Sequence, residues 1–267
     1  MYGVQRIDAD PRLGGDTSPN VVDVWIADYG ACADMPAGLD DGHLSPAERA
    51  RLQEFAHGPA RRTFSIGRLF LRDVLASYCG GDPGEVPIGI GLNGKPYLAA
   101  PEPRLFFNLA HAWPLFAVAV STGGEIGVDI EAFDRSFDLD LVAPYVLSPS
   151  ELAEVRSSTD PRRAFLTYWA IKEAVSKASS LGLHISMSEI ALDASPLADA
   201  GRQLTASGGG PGHWFVMPLA LGENGVAAVA MRSAFAGVRL RRREPGHAGA
   251  ILKEYRRADD GQACHAL

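Results

Sequence analysis

Two stretches of this 267-residue chain read alike, and that similarity limits its possible folds more than any other feature. Residues 44–49 (Leu-Ser-Pro-Ala-Glu-Arg) are matched in the second half by residues 147–152 (Leu-Ser-Pro-Ser-Glu-Leu). Each copy predicts a helix start, because Ser favours the N-cap, Pro the first turn and Glu the positive end of the helix dipole. A longer helical pattern follows in each half, over residues 61–76 and 162–178. The sequence therefore predicts a chain built from two related halves.

Strand patterns surround the helices in the same order in both halves, with one before the helix pair and three after it. They cover residues 21–27, 86–91, 104–109 and 115–121, and then residues 127–132, 188–193, 213–219 and 226–231. This order predicts an α+β fold of two pseudo-symmetric lobes, each a small mainly antiparallel sheet packed against helices, with the active site at the seam. The alternative is a chance resemblance of two common helix starts.

The predicted lobes span residues 21–124 and 125–240. Residues 1–20 and 241–267 lack apolar periodicity and are predicted to be flexible tails. The Gly-rich stretch 201–212 predicts a loop. A pseudo-dimer of this kind completes its own site without a second subunit, so we expect a monomer.

The composition disfavours several functional classes. Hydrophobic residues make up 46% and charged residues 21%, as in an ordinary soluble globular protein. A net charge of -7 argues against generic nucleic-acid binding. Cys32, Cys79 and Cys264 lack the spacing of a metal site or a disulfide framework, and they suit a reducing compartment. Neither a secretory signal nor an apolar run that could cross a membrane is found, so we expect a cytoplasmic protein.

The sharpest local motif is Gly127-Val128-Asp129-Ile130-Glu131. Alternation places Val128 and Ile130 on one face of a strand and both carboxylates on the other. Two carboxylates that lie two residues apart can meet one ion. The alternative is a solvated face of an antiparallel strand, which commonly carries charged side chains.

A second motif lies in the long helical pattern of the second half. Trp169, Glu173 and Lys177 follow one another at intervals of four and share a helix face, with Lys172 beside them. An ordinary surface pair of Glu and Lys is the alternative, but a Trp on the same face disfavours a freely solvated stripe. Together with the strand motif, three carboxylates suit a hard cation such as Mg²⁺, and the two lysines would neutralise the phosphates that it shares.

Three weaker features could also carry chemistry. Residues 93–96 (Asn-Gly-Lys-Pro) predict a turn with Lys95 exposed at its tip. His111 ends a strand, where it either donates to a phosphate or is structural. Arginines on the long helix of the first half either receive a phosphate or form a solvated basic face. They are Arg61, Arg62, Arg68 and Arg72, of which Arg72 is aligned with Glu173 of the second half.

This ordered set of motifs resembles the 4′-phosphopantetheinyl transferases of the Sfp-like kind, which are themselves pseudo-dimers of two similar α+β lobes. The similarity covers residues 45–231 and rests on residues 127–131, 169–177, 93–96 and 108–111 (Asn-Leu-Ala-His). It implies transfer of 4′-phosphopantetheine from coenzyme A to a serine of an apo carrier protein, with Mg²⁺ or Mn²⁺ and with release of adenosine 3′,5′-bisphosphate. The partners would be acyl or peptidyl carrier proteins of polyketide, peptide-synthetase or fatty-acid systems.

The resemblance also implies roles for the two main motifs. Asp129, Glu131 and Glu173 would hold the metal against the pyrophosphate of coenzyme A. Lys177 and Lys172 would neutralise the oxygens of that pyrophosphate. Glu173 matches the position usually proposed as general base for the serine hydroxyl, so Glu173 and Lys177 are the expected catalytic residues.

The remaining positions are implied to bind the rest of coenzyme A. Lys95 and Pro96 match the turn that meets the adenine side, and His111 matches a contact to the 3′-phosphate. Arg51, Arg62 and Arg68 would assist His111.

The sequence departs from the family pattern at two of these positions. Ala110 stands where the family often has Ser, which removes one hydroxyl contact to the phosphate. Glu48 replaces one member of a basic pair near the first helix, while Arg51 keeps the other, and Glu48 instead suits the start of that helix.

Two other functions stay open at this point. One is another metal-dependent phosphate-transfer enzyme such as a nucleotidyltransferase, although the sequence lacks a G-x-x-x-x-G-K-[ST] triphosphate loop. The other is a non-catalytic module that binds coenzyme A or carrier proteins, which the presence of all three carboxylates disfavours. Because carrier proteins tend to present an acidic helix, a local basic or apolar docking surface is expected despite the acidic total.

Overall fold

A computed structural model describes residues 20–30, 41–55, 58–91, 94–100, 104–180, 185–243 and 250–256. The helices are α1 (Pro46–Glu54), α2 (Pro59–Cys79), α3 (Leu139–Val146), α4 (Pro149–Ser157) and α5 (Pro161–Ser179). The strands are β1 (Val21–Asp28), β2 (Ile88–Ile90), β3 (Pro96–Leu98), β4 (Phe106–Ala112), β5 (Leu115–Ser121), β6 (Ile126–Ala132), β7 (Ala191–Leu192), β8 (Leu204–Ser207), β9 (Trp214–Ala220), β10 (Gly225–Met231), β11 (Gly237–Arg242) and β12 (Ala250–Arg256). Among these helices, none has both the length and the apolar character needed to cross a membrane.

The strands form two five-stranded sheets and one two-stranded sheet. The first sheet has the order β12-β11-β1-β5-β4, the second has the order β6-β10-β9-β8-β7, and β2 pairs with β3. In the first half, β5 pairs antiparallel with β1 on one side and with β4 on the other. In the second half, β10 pairs antiparallel with β6 on one side and with β9 on the other. The arrangement β1-β5-β4 is thus repeated as β6-β10-β9. The predicted α+β fold of two similar lobes is confirmed.

The two large sheets pack against each other, and the long helices cover their outer faces. Val22 and Val24 of β1 share one buried apolar cluster with Val128, Ile130 and Val229 of the second sheet. The other face of the first sheet packs against α2, and that of the second sheet packs against α5. Because both faces are covered, every residue of β5 and of β10 is buried.

Both Ser-Pro-x-Glu motifs form capping boxes at the starts of α1 and α4. The Ser45 hydroxyl accepts from the Glu48 backbone N–H, and the Glu48 carboxylate accepts from the Ser45 backbone N–H. Ser148 and Glu151 repeat both bonds. The predicted helix starts are therefore present in both halves, and Glu48 is the helix-start residue that the sequence suggested.

Each long helix carries one buried cationic side chain, which contacts the capping glutamate of its own half. Arg72 Nε of α2 lies 2.6 Å from Glu48 Oε2, and Lys172 Nζ of α5 lies 2.6 Å from Glu151 Oε2. Arg72 therefore makes in the first half the contact that Lys172 makes in the second, while its alignment with Glu173 stays a prediction. Lys172 has no exposed surface and also donates to the last backbone carbonyl of α3 at 3.0 Å. The predicted contact of Lys172 with phosphate oxygens is corrected to a role in the core.

The C-terminal part of the chain departs most from the prediction. Strand β11 runs parallel to β1, so residues 237–242 belong to the sheet of the first lobe and the predicted boundary at residue 240 is wrong. The predicted tail from residue 241 contains β12, which pairs with β11. Two contacts hold β11 there: Arg239 and Arg241 place their Nε atoms 2.7 and 2.8 Å from Asp23 Oδ1 of β1, and Val238 and Leu240 are buried in the cluster between the sheets. A segment rich in arginine is predicted to be exposed, because the sequence alone does not reveal the buried acidic residue with which it pairs.

The predicted loop 201–212 also contains a strand. Strand β8 pairs antiparallel with β9 on one side and with β7 on the other. Leu204 and Ala206 are buried in the cluster beneath α5, which explains why these residues form a strand and are not part of a loop.

Helix α5 lies directly on strand β6 at Gly127. A Cβ atom at Gly127 would lie 2.0 Å from the Ala174 carbonyl oxygen and 2.5 Å from the Ala178 backbone nitrogen. Only glycine allows the helix backbone to come this close to the strand. This contact sets the distance between α5 and β6.

Gly127→Ala is expected to destabilise the protein by at least about 1–3 kcal/mol, because the added methyl group forces α5 away from β6. Gly67→Ala in α2 is the matched control, since its Cβ would meet the Phe116 ring at 3.4 Å, an ordinary contact. Unfolding in urea measures both variants. A Gly127→Ala protein as stable as the wild type would contradict the close approach.

Lys172→Met is expected to lower the free energy of unfolding by about 3–5 kcal/mol, because it leaves the buried Glu151 carboxylate without its cation. In the double variant with Glu151→Gln, the amide oxygen can still accept from Ser148 N–H and no buried charge is unpaired. The double variant should therefore regain much of the stability in the same urea experiment. Equal loss in the single and double variants would show that the ion pair is not the cause.

Candidate active site

Strand β6 presents two buried carboxylates to α5. Val128 and Ile130 point into the cluster between the sheets, and Asp129 and Glu131 lie on the opposite face of the strand. Their exposed fractions are 5% for Asp129 and 4% for Glu131. The alternation predicted from the sequence is present, but the carboxylate face is covered by a helix and not solvated.

Helix α5 supplies the other side of the site. Its first turn is capped by the side chain of Asp160, and it ends at Ser179, after which Ser180 adopts a left-handed conformation with φ of 58°. Trp169, Glu173 and Lys177 all line one cavity, as their spacing predicts for a shared helix face. The site is therefore made by the meeting of one strand face with one helix face.

An ion pair joins the two elements. Lys177 Nζ lies 2.5 Å from Asp129 Oδ1. The other oxygen, Asp129 Oδ2, is buried and has no hydrogen-bond partner among the described residues. Burial raises the pKa of Asp129, the charge and hydrogen bond of Lys177 lower it, and the charges of Glu131 and Glu173 raise it, so that the pKa is about 7. One carboxylate oxygen at the centre of the site thus lacks a partner.

Arg135, which the sequence analysis did not single out, holds the second carboxylate. Its Nη1 donates to both oxygens of Glu131 at 2.9 Å, and its guanidinium lies 5.7 Å from the centre of the Trp169 ring. Arg135 lies in the turn that follows β6. Outside a helix, the spacing of four residues between Glu131 and Arg135 does not indicate that their side chains are in contact. Only the folded structure brings this arginine to the site.

The Glu173 carboxylate makes no hydrogen bond or ion pair with the described residues. Burial raises its pKa, the positive charge of Lys177 lowers it, and the negative charge of Glu131 raises it. A carboxylate that has a raised pKa and no direct partner among the described residues is suited to accept a proton.

The carboxylates predicted to bind metal thus belong to one electrostatic cluster. Within the described ranges, no three His, Cys, Asp or Glu side chains have the arrangement of ligands around one ion. Lys177 faces Asp129 and Arg135 faces Glu131 instead. The donor set still fits a hard cation, because neither Asp129 Oδ2, which is buried, nor Glu173 has a partner among the residues that the structure describes.

A cavity of about 610 Å³ opens beside this cluster. Lys95, Pro96 and Asn108 of the first lobe line it together with Glu173 and Lys177 of the second. A smaller cavity of about 250 Å³ adjoins it and shares Lys95 and Pro96 as part of its wall. Both cavities are therefore lined by residues of both lobes.

Asn108 connects the lobes at this cavity. It is buried in β4, and its Oδ1 accepts from the Val128 backbone N–H of β6 at 3.0 Å. The strand motif 108–111 was predicted from its resemblance to the family, without a structural role for its first residue. The structure gives Asn108 the role of anchoring β4 to the carboxylate strand.

The expected coenzyme A residues fall into two groups. Lys95 and Pro96 line both cavities, although the preceding Asn93 lies outside the described residues. His111 is exposed at the end of β4. Two effects lower its pKa, of which partial desolvation of the ring is the larger and the positive charge of Lys177 the smaller. Ala110 is buried beside it and offers no hydroxyl group.

The three arginines are placed differently. The Arg62 guanidinium lies 5.8 Å from the ring centre of Trp113, which begins the turn after β4. Arg68 is largely buried, with Nη1 lacking a partner among the described residues, and burial lowers its pKa. Arg51 pairs with Glu54 on an exposed face of α1 and lines neither cavity. The structure brings Arg62 near the His111 turn and leaves Arg51 apart from the cavities.

Comparison with known proteins identifies related enzymes. A family model described as the 4′-phosphopantetheinyl transferase superfamily matches residues 125–230, which include β6 and α5. The 4′-phosphopantetheinyl transferase HetI of Nostoc sp. is 34% identical over 192 residues, which is 70% of this chain and 78% of HetI.

Two further relatives come from distant organisms. A 4′-phosphopantetheinyl transferase of Bacillus subtilis is 28% identical over 60% of this chain and 72% of its own length. The human L-aminoadipate-semialdehyde dehydrogenase-phosphopantetheinyl transferase is 25% identical over 71% of this chain and 67% of its own length. With its repeated lobes, its strand and helix motifs and these relatives, the chain belongs to the 4′-phosphopantetheinyl transferase superfamily, and the enzyme class predicted from its motifs is confirmed.

Proposed function

We propose that this enzyme transfers 4′-phosphopantetheine from coenzyme A to a serine of an apo carrier protein and releases adenosine 3′,5′-bisphosphate. The observation that carries the proposal is the cluster of Asp129, Glu131, Glu173 and Lys177, of which Glu173 and Lys177 line the larger cavity together with residues of the first lobe. We place the active site there, at the seam of the lobes.

In this proposal Asp129, Glu131 and Glu173 hold a divalent cation, Mg²⁺ or Mn²⁺. Asp129 Oδ2 is buried and has no partner in the described segments, and burial raises the pKa values of Asp129 and Glu173. A nearby cation stabilises the charged form of such carboxylates. When bound, the cation supplies positive charge to the pyrophosphate oxygens of coenzyme A.

Lys177 and Glu173 then have complementary roles in the transfer. The Lys177 ammonium lies on the cavity wall and stabilises negative charge on the phosphate oxygens. Glu173 accepts the proton of the carrier serine. The serine oxygen forms a bond to the phosphorus of the pantetheine phosphate, and the bond from that phosphorus to the bridging oxygen of the pyrophosphate breaks. The leaving group is adenosine 3′,5′-bisphosphate.

The first lobe holds the rest of coenzyme A in this proposal. Pro96 and the backbone of Lys95 meet the adenine side in the smaller cavity. His111, Arg62 and Arg68 receive the 3′-phosphate. Arg51, which pairs with Glu54 away from the cavities, has at most a long-range effect.

The carrier protein would dock beside the larger cavity. Leu141 and Tyr145 of α3 are 64% and 77% exposed, and Tyr145 lines the cavity. They offer an apolar surface of the kind expected for a carrier helix. Acyl or peptidyl carrier proteins of polyketide, peptide-synthetase or fatty-acid systems are the proposed partners, and a cytoplasmic monomer is the proposed form of the enzyme.

Glu173→Gln is expected to reduce transfer by about 10²–10⁴-fold, because the amide cannot accept the serine proton. The assay is intact-protein mass spectrometry of apo carrier proteins of all three types, incubated with coenzyme A and Mg²⁺, with a parallel EDTA sample. A mass gain of one phosphopantetheine should be lost with EDTA and nearly lost in the variant. Intact coenzyme A binding without any mass gain for the wild type would favour the non-catalytic binding module.

Asp129→Asn is expected to raise the Mg²⁺ concentration needed for half-maximal transfer by at least about tenfold, since it removes a proposed ligand charge at the centre of the cluster. Asp140→Asn is the matched control, because Asp140 lies 86% exposed on α3 and pairs with Arg156. Mg²⁺ titration of the transfer rate measures both. An unchanged titration for Asp129→Asn would exclude Asp129 from the metal site.

A further inference from the structure

The Lys95 side chain crosses from the first lobe to the second. Lys95 lies immediately before β3, and its ammonium group donates to Glu125 Oε2 at 2.6 Å, to the Lys177 carbonyl at 3.2 Å and to the Ile126 carbonyl at 3.3 Å. Ser180 Oγ lies 3.5 Å away. The side chain is 18% exposed, so this is a largely enclosed cation.

These acceptors belong to the two elements that carry the active site. The Ile126 carbonyl is on the first residue of β6, and the carboxylates of Asp129 and Glu131 follow on the same strand. The Lys177 carbonyl is in the last turn of α5, on the residue whose side chain pairs with Asp129. One ammonium group thus bonds to the backbone of both elements at the end where they meet.

Helix chemistry explains why a cation is placed here. The last carbonyl groups of a helix lack partners within the helix and carry the negative end of its dipole. Among the described residues, the Ser180 backbone N–H also donates to the Lys177 carbonyl, at 3.4 Å. The three donors of a lysine ammonium can meet this carbonyl, the strand carbonyl and the Glu125 carboxylate together.

We infer that Lys95 is a positioning residue for the transfer, an inference that rests on the proposed function. By bonding to β6 and to the end of α5, the Lys95 ammonium fixes the register in which Lys177 meets Asp129 and Glu173 faces the cavity. This role differs from a contact to coenzyme A, because the ammonium is directed to the backbone of the second lobe. The Lys95 backbone and Pro96 are left to line the smaller cavity.

Lys95→Met, which keeps the unbranched side chain as far as Cε and removes the ammonium donors, is the principal test. It is expected to lower kcat for transfer by about ten- to a hundredfold, the effect of a small misplacement of catalytic groups. The KM for coenzyme A should stay within about twofold, because ground-state binding is retained. Lys95→Arg should restore most of kcat, since a guanidinium group can donate to the same carbonyls.

A second readout does not depend on activity. In Lys95→Met, hydrogen exchange should become faster in the last turn of α5 and at the start of β6. Arg163→Gln is the matched control, because Arg163 pairs with Glu223 at 2.7 Å near the other end of α5. That variant should keep wild-type kinetics and wild-type exchange in both segments. Lys95→Gln provides a milder variant if Lys95→Met does not fold.

The outcomes separate this inference from the proposed function. A raised KM with unchanged kcat in Lys95→Met would overturn it and make Lys95 a coenzyme A contact. Unchanged exchange at both segments would also overturn it. If the wild type showed no transfer, the proposed function would fail, while the exchange measurement would still decide whether Lys95 holds β6 and α5 together.

Discussion

The contact between the backbones of β6 and α5 at Gly127 is the constraint on which the site depends. Asp129 lies two residues further along β6 and points to the same side of the strand, so its distance from the helix is set there. The pair of Lys177 with Asp129, at 2.5 Å, requires this short separation. A side chain of any size at position 127 would move the strand carboxylates away from Glu173. The sequence motif therefore needs its glycine as much as its two acids.

Burial of this cluster makes its electrostatics strong. The strand carboxylates lie between a helix and an apolar sheet, where charges are weakly screened and unpaired oxygens are costly. Lys177 and Arg135 compensate Asp129 and Glu131, while Glu173 and one oxygen of Asp129 have no partner within the described part of the chain. A site of this kind holds its charged groups in place before substrates arrive. Little reorganisation is then needed when negative charge moves between phosphate oxygens.

Local spacing predicted the parts of the structure that depend on local geometry. Alternation in β6 and the four-residue spacing of Glu173 and Lys177 both gave the correct faces, and the repeated helix starts gave the two lobes. Lys172 was misplaced because a helix position does not reveal what it packs against, and its partner Glu151 is 21 residues away. The bond between Asp23 and Arg239 spans 216 residues, so no window of the sequence could show it. Pairing across such distances is a property of the whole fold.

The parallel pairing of β11 with β1 has a consequence for the order in which the chain folds during synthesis. Strand β1 leaves the ribosome first, but its neighbour β11 begins only at Gly237. The five strands of the second sheet are contiguous in sequence, from Ile126 to Met231, and need no later segment to pair with one another. The second lobe can thus assemble its sheet while one edge of β1 is still open. The part of the protein that is made first is the part that is completed last.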